Sequence, residues 1–511
     1  MLAEIYVGSV VLAGIANLTY DLRKRKKIKR EIRRIFDAVM TSNNKFKPEQ
    51  SFLFEDYRLK EYGFDMVIEL NSGDLEEFIS HIPKLEYKLD ARIAAYKLND
   101  RILAKVWING FKISEEEKIK FEWDKAFNNI RNSRGEAFLI KDIKPIKNQN
   151  TKEIVGYIID TKIPGGLNFD LLYKYSSNLD FIGRSFIKWN KETKMAEVQL
   201  ITKDLKIEKF KPLMVNPWEL FIGMKYNYEP IILDYSIMSN SFISGMQNSG
   251  KTRTMIQGIL NILACNSRDN VRVVLGMVSN KQDLRIFKNT DQCDYYADNI
   301  EKLNLLLDRL LKECRNRNKL FENEDMVFNL FDYNEKAKSK LPIIHFLADE
   351  IADFMPIDES EKDYSLKKTI VEKLIQIARE GRSAGIYLTL ATQRSDSKSL
   401  DPRLKACLSN KVIFKLANEK TAELILGEDK VKCRLAVNLD IKEREFLVEN
   451  HEGFDIGKAC FIGNSEIKDI LRPITVNNKN FDFIKENDNK VVVLKKKKKS
   501  RFEEMLSRKI Q

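Results

Sequence analysis

The sequence predicts an α/β protein whose larger part is built on a central, mainly parallel sheet, and three stretches carry that prediction. SFISGMQNSGKT at 241–252 sets a short apolar run directly before glycines and a Lys-Thr pair. LPIIHFLADE at 341–350 and GIYLTLATQR at 385–394 are apolar runs that each end in polar or charged side chains. Short apolar runs alternating with longer helical patterns are how buried parallel strands and their crossover helices are written in sequence.

In the first stretch Gly245, Gly250, Lys251 and Thr252 have the G-x-x-x-x-G-K-[ST] spacing of a phosphate-binding loop. At average composition these fixed positions would match somewhere in such a chain about 2% of the time, so an ordinary Gly-rich turn accounts poorly for them. The glycines let backbone N–H groups across Met246, Gln247, Asn248 and Ser249 turn inward onto phosphate oxygens. Lys251 supplies a point charge toward the β and γ phosphates, and the Thr252 hydroxyl ligates Mg²⁺. Phe242 and Ile243 end the preceding strand, and TRTMIQGILNILA at 252–264, which includes Arg253, reads as a helix with an apolar face. Residues 245–253 are therefore the candidate nucleotide-binding segment, with ATP and Mg²⁺ the expected cofactors.

A phosphate loop needs an acidic partner on a neighbouring strand, and Asp349 and Glu350 close the second apolar run. Asp349 is placed to hold Mg²⁺, and Glu350 to orient the attacking water or take its proton, in a reaction catalysed mostly by positioning and charge stabilisation. The plainer alternative is a strand that runs out into a charged turn. Gln393, with Thr392 and Arg394 at the end of the third run, is placed as a sensor of the γ-phosphate. Parallel strands deliver the residues at their carboxyl ends to one crevice, which groups these motifs.

At this point the residues resemble a family: the FtsK/SpoIIIE type of DNA-pumping ATPase, and most of all the coupling proteins of conjugative elements in low-GC Gram-positive bacteria, of the clostridial type. LLKECRNRNKLF (310–321), DYNEK (332–336), LPIIHFLADEIADF (341–354) and AREGRSAGIYLTLATQR (378–394) follow the family's order and rough spacing over about residues 215–475. The resemblance implies a RecA-like P-loop motor, usually a hexameric homo-oligomeric ring around double-stranded DNA, that converts ATP hydrolysis into translocation. Two departures stand out. Ser279, Asn280 and Lys281 replace the family's acidic turn after the second strand, and Glu423 stands where the family carries a trans-acting arginine. Arg382, Arg379 and Arg394 are the candidates to replace it, with Arg382 preferred.

Composition sets the remaining limits. At 511 residues and 43% hydrophobic content the chain has room for about three folded units. A net charge of +13 favours a polyanionic partner, nucleic acid or an anionic membrane surface. The six cysteines, all between Cys265 and Cys460 without a CxxC pair, argue for reduced thiols. His81, His345 and His451 are too dispersed for a His-based metal or nucleophile site, and His345 sits inside the Asp349 strand.

Five segments are expected. Residues 1–22 form an apolar N-terminal stretch followed by Arg23, Lys24, Arg25, Lys26, Lys27, Lys29 and Arg30, which suggests a single-pass anchor in the cytoplasmic membrane with the motor in the cytoplasm. An amphipathic surface helix is the alternative. Residues 23–112 and 113–212 read as two α+β units of helix, hairpin, helix, hairpin, in which LDAR at 89–92 and FIGR at 181–184 occupy equivalent places; a duplication and a chance likeness of two generic units both remain open. Residues 213–476 are the motor, and 477–511 a basic tail carrying five lysines at 495–499, which either touches DNA or lipid or is simply solvated. No winged-helix module follows the motor in this sequence, so DNA contacts are expected to be sequence-independent, made chiefly to phosphates, and salt-dependent.

The resulting expectation is a membrane-anchored, ATP-driven DNA translocase that serves as a conjugative coupling protein, taking a substrate from a relaxase and delivering DNA to transfer-channel proteins. An FtsK-like ATPase energising protein secretion, a chromosome or plasmid partitioning translocase, and a non-hydrolysing DNA tether are the alternatives. One P-loop rather than several speaks against the secretion ATPase, and Lys251 with Glu350 against the tether.

Overall fold

The structure is a computed structural model of the 511-residue chain, and it describes residues 22–40, 52–60, 63–71, 73–98, 101–109, 114–179, 183–190, 193–206, 209–277, 283–393 and 400–476. The chain divides into two compact units, the first holding the described residues of Met1–Lys147 and Glu153–Lys203, the second those of Asn148–Lys152 and Asp204–Gln511.

In the first unit, α1 (Leu22–Met40) is followed by the hairpin β1 (Phe52–Lys60) and β2 (Gly63–Leu70), then α2 (Leu75–Leu89) and the hairpin β3 (Ala91–Leu98) and β4 (Arg101–Ile108). The strands form an antiparallel sheet in the order β1-β2-β4-β3. Ile28, Ile32, Phe36 and Val39 lie at helical spacing on α1 and are buried against Phe52, Phe54, Phe64 and Phe78. The outward face of α1 is basic: Lys26, Lys27, Arg30, Arg33 and Arg34 are exposed. On these residues the charge run therefore has a structural use, as the solvent side of a helix that covers a sheet. α2 starts at Asp74, whose carboxylate accepts from the Glu77 amide at 2.8 Å, and stops at Asp90 in a left-handed conformation with φ 46°.

A second set of elements repeats this order: α3 (Glu115–Phe127), β5 (Leu139–Lys147), β6 (Ile154–Lys162), α4 (Phe169–Ser176), β7 (Arg184–Asn190) and β8 (Met195–Ile201). Its sheet runs β5-β6-β8-β7, the same arrangement as the first. Ile119, Trp123 and Phe127 of α3 pack with Ile159, Leu172, Ile187 and Val198, and Trp123 donates its indole N–H to Phe138 O at 3.1 Å. The other side of α3 meets the first sheet: Phe121 packs edge-on against Trp107, and buried Glu122 pairs with Arg92. Burial pushes the Glu122 carboxyl up, against the pull of Arg92.

The second unit is organised by one ten-stranded sheet. In chain order it comprises β9 (Glu219–Lys225), β10 (Pro230–Asp234), β11 (Ser241–Ser244), α5 (Lys251–Cys265), β12 (Val271–Gly276), β13 (Cys293–Ala297), α6 (Ile300–Glu322), α7 (Leu330–Lys336), β14 (Ile343–Ala348), α8 (Tyr364–Ala384), β15 (Ile386–Thr392), α9 (Pro402–Ala406), β16 (Asn410–Phe414), α10 (Glu419–Leu426), α11 (Lys430–Asn438), β17 (Glu445–Asn450), β18 (Gly453–Lys458) and α12 (Asn464–Leu471). The strand order is β10-β9-β18-β17-β16-β11-β15-β14-β12-β13. From β16 to β13 all pairs are parallel, whereas β17, β18, β9 and β10 add in antiparallel fashion. The sheet is thus mixed rather than mainly parallel. The turns between β9 and β10 and between β17 and β18 are too short for a crossover helix, and such a connection only permits antiparallel pairing. Every residue of β11, β14 and β15 is buried, as strands covered on both faces must be.

Arg317 of α6 is buried and ties helices to strands: its guanidinium donates to Pro342 O and Ala384 O, each at 2.8 Å, and to Glu313. His345 in β14 is also buried, with Nε2 2.8 Å from Pro217 O; burial holds its value down to about 4. No helix among the described residues is long and apolar enough to cross a membrane. The anchor expected over residues 1–22 falls outside the described residues up to position 21, as do Ser279, Asn280, Lys281, Arg394 and the basic tail 477–511.

Candidate active site

β11 delivers the chain into the loop 245–250 at the carboxyl edge of the parallel strands. The loop is locked from below: Met246 N donates to Lys415 O at 3.0 Å, and Ser249 N to Met246 O at 3.3 Å. Two positive φ angles, 63° at Asn248 and 107° at Gly250, turn it back toward α5. A side chain at Gly245 would strike Phe414 Cβ at 2.5 Å, so only glycine lets the loop lie on β16. Met246, Gln247 and Asn248 face solvent, while Ser249 and Lys251 are buried.

The sequence motifs from three strands meet here. Lys251 Nζ donates to Asp349 O at 3.0 Å and lies 3.6 Å from Asp349 Oδ1 and 3.8 Å from Glu350 Oε2. Thr252 Oγ1 is 3.2 Å from both carboxylate oxygens of Asp349. Glu350 in turn is fixed by the end of β15: Thr392 Oγ1 donates to Oε1 at 2.5 Å, and the Gln393 amide lies 3.0 Å from Oε2. β15 can do this because it pairs in parallel with both β11 and β14, which brings Thr392 level with Ser244.

The arrangement fits a magnesium nucleoside triphosphate. Asp349 is 1% exposed, and beside it are a hydroxyl, an ammonium and the amide-rich start of a helix. Among the described residues no group of three or more His, Cys, Asp or Glu gathers to hold a metal. Thr252 and Asp349 are the side chains that would hold Mg²⁺, an ion commonly bound through one or two carboxylates together with phosphate oxygens and water. When bound, the ion would supply positive charge that offsets the negative charge of the phosphates. Glu350 also faces Lys251, at 3.8 Å, and a carboxylate held there could orient a water for attack on a terminal phosphate.

The remaining candidates are dispersed. Arg253 is exposed and donates to Asn464 Oδ1 at 2.9 Å. Arg382, near the end of α8, donates to Ser236 O at 3.1 Å. It precedes β15, so it lies at the opposite edge of the sheet, roughly 20 Å along the strand from Gln393. Arg379 and Glu423 are both exposed, on α8 and α10. What sequence reasoning missed is the role of Thr392 as the residue that holds Glu350; the signal was its position directly before Gln393, at the end of a strand that borders the loop strand.

No family model matches the chain. Curated relatives include the DNA translocase FtsK of Staphylococcus epidermidis, 22% identical over 295 residues that make up 55% of this chain and 35% of that protein. FtsK of Streptococcus pneumoniae is 25% identical over 223 residues, 41% of this chain and 28% of that one. FtsK of Pseudomonas syringae pv. syringae is 26% identical over 242 residues, with 42% and 29% covered. The chain thus spans about a third of the length of these relatives. Among solved structures, the pCW3 conjugation coupling protein TcpA, in its monomer form with ATPγS, is 17% identical with a TM-score of 0.47, covering 69% of this chain and 97% of that one. The cytoplasmic domain of the type VII secretion ATPase EccC of Thermomonospora curvata is 19% identical with a TM-score of 0.43, covering 54% and 33%. As its motif order predicts, the chain resembles the FtsK/SpoIIIE-type DNA translocases.

Proposed function

We propose that this chain hydrolyses ATP with Mg²⁺ and uses the energy to translocate DNA, as a homo-oligomeric ring that serves as a coupling protein in conjugative transfer. The observation that carries the hydrolytic part is the fixed Glu350 carboxylate, held by Thr392 and Gln393 and facing Lys251. A site meant only to retain nucleotide has no need of an oriented carboxylate beside the terminal phosphate. DNA as the cargo is supported by the FtsK likeness and by the net charge of +13. The repeated sheet order of the first unit supports a duplicated α+β module ahead of the motor. We assign residues 23–112 and 113–212 to its copies, 213–476 to the motor and 1–22 to a membrane anchor.

The test is ATP hydrolysis with and without double-stranded DNA, together with displacement of a triplex-forming strand from that DNA. Stimulation by DNA and strand displacement, both abolished in Lys251→Ala, are expected. Hydrolysis that ignores DNA but responds to a secreted polypeptide would move the protein to export, and displacement that proceeds without ATP would overturn the motor reading.

A further inference from the structure

The Asp349 and Glu350 side of the loop marks where the terminal phosphate belongs, and this fixes the direction of the rest of the ligand. Asp349 and Glu350 follow β14, and Gln393 follows β15, all on one side of β11. A nucleotide with its last phosphate there must extend its nucleoside toward the other side, over β16 and β17. Three segments converge at that edge. β16 ends at Phe414; β17, antiparallel to it, begins at Glu445, directly after Arg444; and β18, antiparallel again, ends at Lys458, shortly before Phe461.

Arg444 is immediately beside the loop. A carbon built on Gly250 would lie 3.7 Å from Arg444 Cβ and 3.2 Å from the Phe414 ring. The Arg444 guanidinium sits over the Phe461 ring, 4.9 Å from its centroid. Backbone bonds hold both residues: Ala459 N donates to Arg444 O at 3.1 Å, and Phe210 N to Phe461 O at 2.8 Å. The bond from Arg253 to Asn464 ties the first turn of α5 to the same wall. Yet Phe461 remains 43% exposed, although the guanidinium of Arg444, which borders the loop, lies over its ring.

We propose that Phe461 and Arg444 form a nucleobase-stacking subsite that takes the purine of the bound nucleoside triphosphate, an inference that rests on the triphosphate reading of the loop. A purine presents a broad π-face, and aromatic rings and guanidinium planes both stack on such faces. Stacking reads the face and not the edge of the base, so it tolerates a change of base. ATP and GTP should therefore bind with affinities within a few-fold of each other. The same pair, read only as a clamp that closes the last strands, would leave affinity for the base unaffected.

The experiment compares binding of Mg-ATP, Mg-GTP and Mg-tripolyphosphate to the full chain by calorimetry. Phe461→Leu keeps the apolar bulk and removes the π-face; Arg444→Gln removes the cation. Each is expected to weaken ATP and GTP about tenfold and to leave tripolyphosphate unchanged, because that ligand has no base. Unchanged ATP affinity in both variants, or an equal loss for ATP and tripolyphosphate, overturns the subsite. Failure of the underlying reading has a different signature: wild type would then bind tripolyphosphate no better than Lys251→Ala does, and the subsite would fall with it.

Discussion

Thr392 Oγ1 donates to Glu350 Oε1 at 2.5 Å, and this bond joins the residue that ends one strand to the carboxylate that follows another. A carboxylate at the end of a strand has free rotation about its side chain unless something outside the strand fixes it. Thr392 does so from β15, and the Gln393 amide from the same segment. Hydrogen bonds to a charged group are worth about 1.5–3 kcal/mol. Thr392→Val, which keeps shape and removes the hydroxyl, should therefore lower kcat about tenfold to a hundredfold while KM for ATP changes little. Thr392→Ser should recover most of the rate. Equal losses for both replacements would mean that packing of the Thr392 methyl, rather than the bond, is what matters.

Lys251 and Glu350 should fail differently. The Lys251 ammonium faces Asp349 and Glu350, and a triphosphate would compete for it, so Lys251→Ala should weaken ATP binding and turnover together. Glu350→Gln keeps the acceptor for Thr392 but removes the charge that orients water; it should bind ATP and stall hydrolysis. Equilibrium binding and single-turnover hydrolysis measured on the same preparations separate the two. A hydrolysis rate near wild type in either variant would contradict the site.

Acid should destabilise the second unit through His345. Burial lowers its value in the folded chain to about 4 from 6.5, while the Pro217 carbonyl at 2.8 Å opposes that shift. Above the unfolded value the ring is neutral in both states, and this stability is fully present. Between the two values the unfolded chain takes up a proton that the folded chain does not, so stability falls with pH, by about 1.4 kcal/mol per pH unit. Near pH 4 the loss levels off at about 3 kcal/mol. His345→Gln retains a donor for Pro217 and does not titrate. Its midpoint of thermal unfolding should fall less steeply than wild type between pH 6.5 and pH 4; parallel curves would assign the acid sensitivity to other groups.

The parts of the site that were legible in the sequence were those carried by strand-end motifs. Gly245 to Thr252, Asp349, Glu350 and Gln393 all lie at the carboxyl ends of parallel strands, and that single rule brings them together. The antiparallel half of the sheet was harder to read, because β9 joins β18 across more than two hundred residues and nothing local in either strand names its partner. Arg444 and Phe461 escaped for a similar reason: what brings Arg444 beside Gly250 is the pairing of β17 with β16, and what sets Phe461 by Arg444 is the β17–β18 hairpin, neither of which a strand-end motif marks. Arg382 shows the converse. Residues just before a parallel strand and residues just after it are at opposite edges of the sheet, so nearness to Gln393 in sequence carried Arg382 away from the loop.

That position leaves Arg382 only one way to act on hydrolysis, from one subunit to the active site of the next. Its guanidinium is exposed and bonded to Ser236 O, far from its own Lys251. In the ring proposed above, the family resemblance would put a trans-acting arginine where this sequence has Glu423, so another arginine would have to stabilise charge on the terminal phosphate. Such a group is worth about 10³-fold or more in rate. Arg382→Ala alone should then hydrolyse ATP slowly even when assembled on DNA. Mixing it with Lys251→Ala subunits should restore part of the activity, because some interfaces pair an intact loop with an intact arginine. Wild-type hydrolysis by Arg382→Ala on DNA would instead confine Arg382 to its bond with Ser236, and give the trans-acting role to another residue.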